Sequence, residues 1–504
     1  MSVLLLAAIA IPGGLLAMLT AARPRVSLIL GGGSGLLSLV VAASIRASDT
    51  VPVAGIVVAG SDGLRTIALS WAAGILLLAV AEVLVGHTGR ILGPSLVAFG
   101  ASVVAVAVAD AGLGFALLTA GGVAAAVGPL VVPASGREQT ALGLRALRAM
   151  AVAGLTALLA VAWGASPAGP FAAADPLGAV DPALEMGLGL GFLAVVAAVV
   201  IRLGAIPAHA WAARFADSAP TAAVPATLGW GAAAFALVAL SWVDITIAPT
   251  TAPLEGERTV VALVAAASVI LGGLAAILRD DIEHVLGYSI VQDAGIALLA
   301  FSAFRPESAS AGRDWLVGMV AVKSGLAAWV LVTRSTFGVR RVSELRGWAR
   351  RSPILGAGFV MVLIGAIGVP GMATFTARGV LTELGLGSPF DLIVLLAAFA
   401  PVAYLGRILV IGVDQVSEPV RLAQGLDVRV RGFSPGGWTG SAAVAAVRAL
   451  PEATRANRLV LAAASALLVA AIGLSVAATG LVASSDPRAG AGSDREAALV
   501  ASLR

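Results

Sequence analysis

The chain has 504 residues, of which 59% are apolar and only 12% are charged. Soluble domains usually carry about a quarter charged residues, so a water-soluble globular protein is excluded and a polytopic membrane protein is predicted. Cysteine is absent, which excludes disulfides, thiolate metal sites and cysteine nucleophiles. The formal charge of +4 comes from arginines in loops, and this distribution favours the flank of a membrane protein over nucleic-acid binding.

Membrane-crossing helices are the predicted elements. A span needs roughly 20 apolar residues to cross about 30 Å of hydrocarbon, and about fourteen stretches meet this length. The fold class is therefore predicted to be an all-α polytopic membrane protein. In chain order, the predicted spans 1 to 14 cover residues 3–20, 26–45, 67–86, 91–109, 112–132, 146–164, 186–206, 220–242, 259–278, 285–304, 314–333, 353–383, 389–412 and 457–483.

The loop arginines predict the orientation. Loops after odd-numbered spans hold 20 basic residues, whereas loops after even-numbered spans hold 5. Because Lys and Arg mark the cytoplasmic side, both termini are expected on the outer side of the membrane. The arginine-rich segment 334–351 is expected in the cytoplasm.

Glycine and proline interrupt spans 7 and 12, each beside an arginine. The two stretches read VVIRLGAIPAHAWAARFADSAPT and MVLIGAIGVPGMATFTARGVLTELG. Proline removes a backbone donor, and broken helices are tolerated at membrane depth only where protein or water covers the freed groups. Breaks are predicted near Gly204–Pro207 and Gly368–Gly371. Spans five apart cross in opposite directions, as inverted repeats require, and two unrelated proline kinks are the alternative.

The domain organisation follows from these breaks. Two inverted five-helix repeats are expected, each with one broken helix (helices 7 and 12). The predicted units are 1–90 (helices 1–3), 91–242 (first repeat, helices 4–8), 259–412 (second repeat, helices 9–13), 413–456 (a cytoplasmic loop) and 457–504 (helix 14 and a polar tail).

Charged side chains inside the spans are the candidate functional residues. A basic side chain at the bilayer centre costs about 2.5–3.5 kcal/mol. Lys323 is the only lysine of the chain and lies too far from either end of its span to reach water easily. The acids within spans include Asp293 and Glu82, and the alternative for each is a structural pair or a helix-end position. The basic residues within spans are Arg202, Lys323, Arg378 and Arg407.

Lys323 and Asp293 are predicted to interact. Span 10 ends and span 11 begins at the same side, so the two residues lie at depths that differ by roughly 3 Å at 1.5 Å per residue. We expect a direct or water-bridged contact between them. Arg202 and Arg378 are expected further along one polar axis at mid-membrane.

Five segments between residues 90 and 412 stand in a characteristic order: IPAHAW followed by APT, RDDIEHVLGYSIVQDAG, Lys323 in its apolar run, GAIGVPGMATFTARGVL, and AYLGRILV. In this order they resemble segments of the antiporter-like membrane subunits of respiratory complex I. The resemblance implies fourteen helices, and buried charged residues and water that conduct protons. It also implies that the energy comes from quinone reduction elsewhere in the complex.

The resemblance also assigns site residues. Arg202 stands where the family has its helix-7 lysine, Lys323 keeps a lysine, Arg378 takes the helix-12 charge and His209 keeps a histidine. Together with the other span charges, the predicted proton path is Lys323, Asp293, Arg202, Arg378, His209, Arg407 and Glu82.

Two departures from the family pattern bear on pumping. The helix-5 glutamate would fall within 117–126 and the helix-8 lysine near 229–235, and the chain has neither. Lysine can release a proton when buried, whereas arginine practically cannot. A reduced proton path or a structural role within a pumping complex is therefore expected.

The resemblance implies a proton-translocating membrane subunit of an NADH-quinone oxidoreductase assembly, of subunit M or N type, in the plasma membrane of a bacterium. Quinone, FMN and iron–sulfur clusters are expected only in partner subunits, with no redox centre or cofactor in this chain. The expected partners are other membrane and peripheral subunits of a respiratory-type complex, the lipid bilayer and protons, and no nucleic acid.

Three alternatives stay open at this point. One is a subunit of a related machine: a cation/proton antiporter, a membrane-bound hydrogenase or an inorganic-carbon uptake complex. Another is a free-standing small-molecule transporter. The third is a scaffold subunit that does not conduct protons.

Overall fold

The computed structural model describes residues 2–53, 56–85, 91–127, 137–166, 182–249, 254–386 and 390–414. Span 14 and almost all of the predicted cytoplasmic loop lie outside these residues. The described helices are α1 (Ser2–Leu19), α2 (Pro24–Ala43), α3 (Asp62–Leu84), α4 (Leu92–Ala107), α5 (Ala111–Val127), α6 (Arg137–Gly164), α7 (Pro182–Leu203), α8 (His209–Ser218), α9 (Gly231–Trp242), α10 (Glu255–Leu278), α11 (Ile282–Leu298), α12 (Pro306–Phe337), α13 (Trp348–Arg351), α14 (Pro353–Ile367), α15 (Ala373–Leu386), α16 (Phe390–Ala398) and α17 (Ala400–Val413).

Short irregular elements complete the described part. Two π-helical turns, Pro225–Trp230 and Val243–Ile247, flank α9, and two 3-10 turns, Leu299–Phe301 and Val342–Leu345, follow α11 and α12. Between α2 and α3 lies an antiparallel hairpin of β1 (Thr50–Val53) and β2 (Ile56–Ala59). Hydropathy alone did not predict this hairpin, although its β-branched residues favour strands.

The helices confirm the predicted fold class. Ten described helices are long and apolar enough to cross a membrane, and three shorter apolar helices match spans 4, 5 and 12. Together they correspond to predicted spans 1 to 13. The total of fourteen and the domain boundaries stay predictions.

Helix α12 is the centre of the bundle. It has 32 residues, and its most apolar window is completely buried. It packs against α3, α9, α11, α14 and α15. By contrast, outer helices such as α2, α6 and α10 expose large apolar side chains, among them Ile29, Leu159 and Leu278. Such a surface suits lipid contact, and the central position of α12 places Lys323 in the interior.

Both predicted breaks are present. Helix α7 ends at Leu203 and α8 begins at His209, with Gly204 at φ +68. Helix α14 ends at Ile367 and α15 begins at Ala373, with Gly368 at φ +65 and Gly371 at φ +95. These backbone angles favour glycine, which explains why the chain turns at these positions.

Side chains cover the backbone groups that the breaks release. The Trp211 indole, in α8, donates to the Ile201 carbonyl of α7 at 2.9 Å. Arg378, in α15, donates to the Ala366 carbonyl of α14 at 2.8 Å and also to the Ile367 carbonyl. In each break, the second half-helix therefore caps carbonyls of the first half-helix, as a low-dielectric environment requires.

The two broken spans run in opposite directions. Helix α8 ends where Asp217 binds Arg340 at 2.8 Å, at the bundle end that also holds Glu283 and Arg334, and we name this end the arginine-rich face. Helix α14 begins beside that face, and α15 ends at the opposite face, where the Gly385 carbonyl accepts from Ser302. This arrangement supports the inverted-repeat prediction. The side of the membrane that each face meets stays a prediction.

Candidate functional site

The ion pair between Lys323 and Asp293 is the core of the site. Lys323 Nζ lies 2.8 Å from Asp293 Oδ2, and the two side chains are 2% and 8% exposed. This contact confirms the predicted interaction. A lysine buried at the middle of a central helix is thus matched by an acid at the same depth.

One glycine and a capping residue position Asp293 on α11. At the start of α11, Asp281 Oδ1 accepts from the backbone N–H groups of Glu283 and His284, which fixes the beginning of the helix. A Cβ at Gly295 would lie 2.7 Å from the Ala265 carbonyl oxygen, so glycine permits close packing of α11 on α10. These local features set the depth of Asp293 relative to α12.

Arg378 lies next to the pair through a shared tryptophan. The Trp315 indole donates to the Asp293 carbonyl at 3.0 Å, and the Arg378 guanidinium lies 5.2 Å from the centre of the Trp315 ring. A second ring, that of Phe399, lies 4.8 Å from the guanidinium. The arginine is 1% exposed, and its aromatic and carbonyl contacts stabilise a fixed charge there.

Arg202 is held by backbone rather than by an acid. Its Nη1 donates to the Thr227 carbonyl in the first π-helical turn at 3.0 Å. Among the described residues, no carboxylate lies within ion-pair distance of it. The α5 residue that faces the guanidinium is Gly122, where a Cβ would lie 3.2 Å from Nη2. The missing helix-5 glutamate therefore leaves a glycine beside a buried cation.

A series of contacts links Arg202 to Lys323. The π-helical turn that holds Arg202 ends at Trp230, whose indole donates to Ser324 Oγ at 3.1 Å. Ser324 follows Lys323 on α12. These contacts place Arg202, Lys323 with Asp293, and Arg378 in that order through the bundle. A continuous polar axis at mid-membrane stays a prediction.

The structure places the other three predicted residues elsewhere. Glu82 is buried beside a small cavity that Ser95 and Trp230 also line. His209 begins α8 at the first break, and its Nδ1 is buried with no hydrogen-bond partner among the described residues. Arg407 binds Asp280 at 2.7 Å and the Ile277 carbonyl at 3.1 Å, at the arginine-rich face and away from the axis. Their roles in proton transfer stay predictions.

Two polar groups of α12 were not predicted. Ser324 contacts the tryptophan described above, and Asp314 has a buried Oδ1 with no hydrogen-bond partner among the described residues. The predicted span began at residue 314, so Asp314 looked like a helix-end residue. The polar segment PESASAGRD adds turns to the N-terminal end of α12. Because this segment is polar, a search for apolar runs does not include it.

An ion-pair cluster at the arginine-rich face connects α8, α11 and the segment after α12. The Glu283 side chain is fully buried and binds Arg334 at 2.5 Å and Arg340 at 2.6 Å. Arg340 also binds Asp281 at 3.1 Å and Asp217 at 2.8 Å. Burial opposes the charge of Arg340, but the three carboxylates outweigh it and raise the pKa of its guanidinium above the usual value.

A cation site at this cluster is less favoured than ion pairs. Ligand atoms of Asp217, Asp281 and His284 lie within 4.8 Å of one another, as metal ligands would. However, Arg340 already binds both carboxylates, so its guanidinium supplies the positive charge that a metal ion would bring.

Arg340→Ala is expected to lower the free energy of unfolding by about 1–2 kcal/mol, because it removes one of the two cations from buried Glu283 while solvent screens part of the loss. Arg346→Ala is the matched control, since Arg346 and Asp414 form a half-exposed pair at 3.2 Å. Thermal unfolding in detergent measures both variants. An equal change in Tm would contradict a special role for the cluster.

The comparisons with known proteins agree with this geometry. Residues 143–402, about half of the chain, match the family model described as NADH:quinone oxidoreductase/Mrp antiporter, TM. The chain belongs to this family.

Curated relatives of the antiporter family include two proteins named NADH-quinone oxidoreductase subunit N. The one from Parvibaculum lavamentivorans is 28% identical over 269 residues, which is 51% of this chain and 55% of that protein. The one from Rhodospirillum rubrum is 23% identical over 257 residues, 50% of this chain and 52% of that protein. The chain thus spans about half the length of the curated relatives it matches.

Solved structures of the antiporter family share the fold. A chain of the Mrp complex from Dietzia sp. aligns with a TM-score of 0.68 at 18% identity, covering 96% of both chains. A chain of respiratory complex I from Thermus thermophilus aligns with a TM-score of 0.65 at 20% identity, covering 94% of this chain and 99% of that chain. The bundle with its two breaks is therefore the antiporter-family fold.

Proposed function

We propose that this chain is a proton-translocating membrane subunit of an NADH-quinone oxidoreductase assembly, of subunit N type. The observation that carries the proposal is the buried Lys323–Asp293 pair at the centre of α12. An amine and a carboxylate in direct contact offer a proton donor and a proton acceptor inside the membrane, which a proton path needs.

The two arginines beside the ion pair have a different role from Lys323. Arg202 and Arg378 are buried and permanently charged, so they set the electrostatic potential around the pair without releasing protons themselves. Lys323 is the cation of the axis that can switch. The path has fewer titratable groups than the family pattern implies, because Gly122 lies beside Arg202 where the resemblance implies a glutamate.

The assembly and its location belong to the same proposal. Partner subunits carry the quinone site, FMN and iron–sulfur clusters, and this chain contributes proton transfer alone. It lies in the plasma membrane of a bacterium with both termini on the outer side, so the arginine-rich face meets the cytoplasm.

A cation/proton antiporter subunit is the second candidate. It is supported by the TM-score of 0.68 with a chain of the Mrp complex, a likeness of the same size as that to complex I. Arg202, which has a carbonyl rather than a carboxylate as its partner among the described residues, fits either machine. The energy source separates them: NADH oxidation for the first and a cation gradient for the second.

Vesicle transport tests the proposal. In inverted membrane vesicles of the native host, deletion of this chain is expected to abolish most NADH-driven proton uptake, followed with a pH-sensitive dye. NADH oxidation by an artificial electron acceptor should persist, because the redox groups lie in partner subunits.

Two results would contradict the complex I assignment. One is unchanged NADH-driven proton uptake in the deletion strain. The other is loss of sodium-driven proton exchange in vesicles without NADH, which would support the antiporter candidate instead.

A further inference from the structure

We infer that Glu82, on α3, is the group that takes up protons from the arginine-rich face and delivers them to Lys323 through a cleft between α3, α4 and the first π-helical turn. This inference rests on the proposed function. It adds a route along α3, a helix that lies outside the predicted repeats.

Glu82 is a buried acid without a neutralising group among the residues that the structure describes. It is 5% exposed, and no described residue forms an ion pair or hydrogen bond with its carboxylate. Isolated buried acids are costly, and within membrane spans they mark ion or proton pathways. Glu82 lines a cavity, together with Ser95, Ala222, Ala226 and Trp230.

The outer end of this cleft lies near the arginine-rich face. Glu82 is in the last turn of α3, which ends at Leu84. On the other wall, Ala222 follows Thr221, whose hydroxyl donates to Glu283 of the ion-pair cluster at 3.2 Å. The wall of the cleft that faces Glu82 is therefore joined to the ion-pair cluster through Thr221.

The inner end of the cleft is closed by Trp230 and leads to Lys323. The Trp230 indole stacks on Trp71 with 5.5 Å between ring centres, and it donates to Ser324 Oγ, beside Lys323. Gly74 leaves room at this point, since a Cβ there would lie 3.2 Å from the indole nitrogen and 3.5 Å from Ser324 Oγ. Movement of one indole would expose the serine hydroxyl to the cleft.

The cleft is narrow in this conformation. Its volume is about 10 Å³, the space of roughly one water molecule. Glu82 lies eight residues after Gly74, or about 12 Å along the helix at 1.5 Å per residue, so transfer to Ser324 needs several waters. Conduction therefore requires the cleft to widen and fill with water. The Trp230 indole acts as the gate between this water and Ser324.

Glu82→Gln in the intact assembly tests the transfer role. It keeps the shape of the side chain and removes the transferable proton, so we expect at least a tenfold slower proton uptake in inverted vesicles. Glu82→Asp should restore most of the rate. The matched control is Glu255→Gln, since Glu255 is an exposed acid at the first turn of α10 and its change should leave the rate unaltered.

Accessibility gives a second, independent measurement. Because the chain has no cysteine, Glu82→Cys creates a single thiol. A membrane-impermeant thiol reagent should label it only from the side of the arginine-rich face. Labelling of Val83→Cys, at a neighbouring exposed position, should leave proton uptake unaltered.

The outcomes separate this inference from the proposed function. Two results overturn the inference alone, provided that proton uptake by Lys323→Arg is slow in the same vesicles. One is proton uptake by Glu82→Gln at the wild-type rate, and the other is labelling of Glu82→Cys from the opposite side. If Lys323→Arg also transports at the wild-type rate, the proposed function fails with it.

Discussion

Lys323→Arg is expected to slow proton transfer by at least about tenfold while the fold is retained. The reference pKa of arginine lies about two units above that of lysine, so a guanidinium holds its proton far more strongly. It can still bind Asp293, which keeps the buried acid neutralised. Proton uptake in inverted vesicles, with Arg346→Lys as the surface control, measures the effect. A wild-type rate would make Lys323 a fixed structural charge.

Lys323→Ala is expected to abolish transfer and also to destabilise the protein. A variant that lost only the transfer group would still assemble, but the buried ion pair at 2.8 Å adds a structural cost. Removing one partner of a buried pair costs about 3–5 kcal/mol, because Asp293 would be left charged and unpaired. The double variant Lys323→Met with Asp293→Asn should recover thermal stability without recovering transfer, which separates the two effects.

Gly204→Ala is expected to disrupt the first break more than Gly338→Ala disrupts the end of α12. Both glycines have φ +68, so each alanine costs about 1–2 kcal/mol of backbone strain. At Gly204 the new Cβ would also lie 2.3 Å from the Cβ of Ala212, whereas the space beside Gly338 is open. Overpacking adds about 1–3 kcal/mol at the first position only.

Thermal unfolding of the purified protein decides this comparison. Gly204→Ala should show the lower Tm and, because α8 and Arg202 flank the break, slower proton uptake as well. Equal Tm values for the two variants would mean that the contact with Ala212 relaxes without loss.

The sequence alone determined the features that depend on local composition. Apolar runs placed the helices from 3–20 to 389–412, and Gly with Pro located the breaks at Gly204–Pro207 and Gly368–Gly371. The depth of a residue also follows from its distance along a helix, so the Lys323–Asp293 contact could be predicted. These properties depend on hydropathy and backbone preference, and each residue type has its own value of both.

Only the tertiary structure decided which side chains face each other. Arg202 and Arg407 both look like buried cations in the sequence, yet one binds the Thr227 carbonyl inside the bundle and the other binds Asp280 at the arginine-rich face. Likewise, the sequence does not reveal that Trp230 contacts Ser324. The direction in which a side chain leaves a helix, and the neighbour that it meets, depend on how distant helices pack, and that packing is a property of the whole bundle.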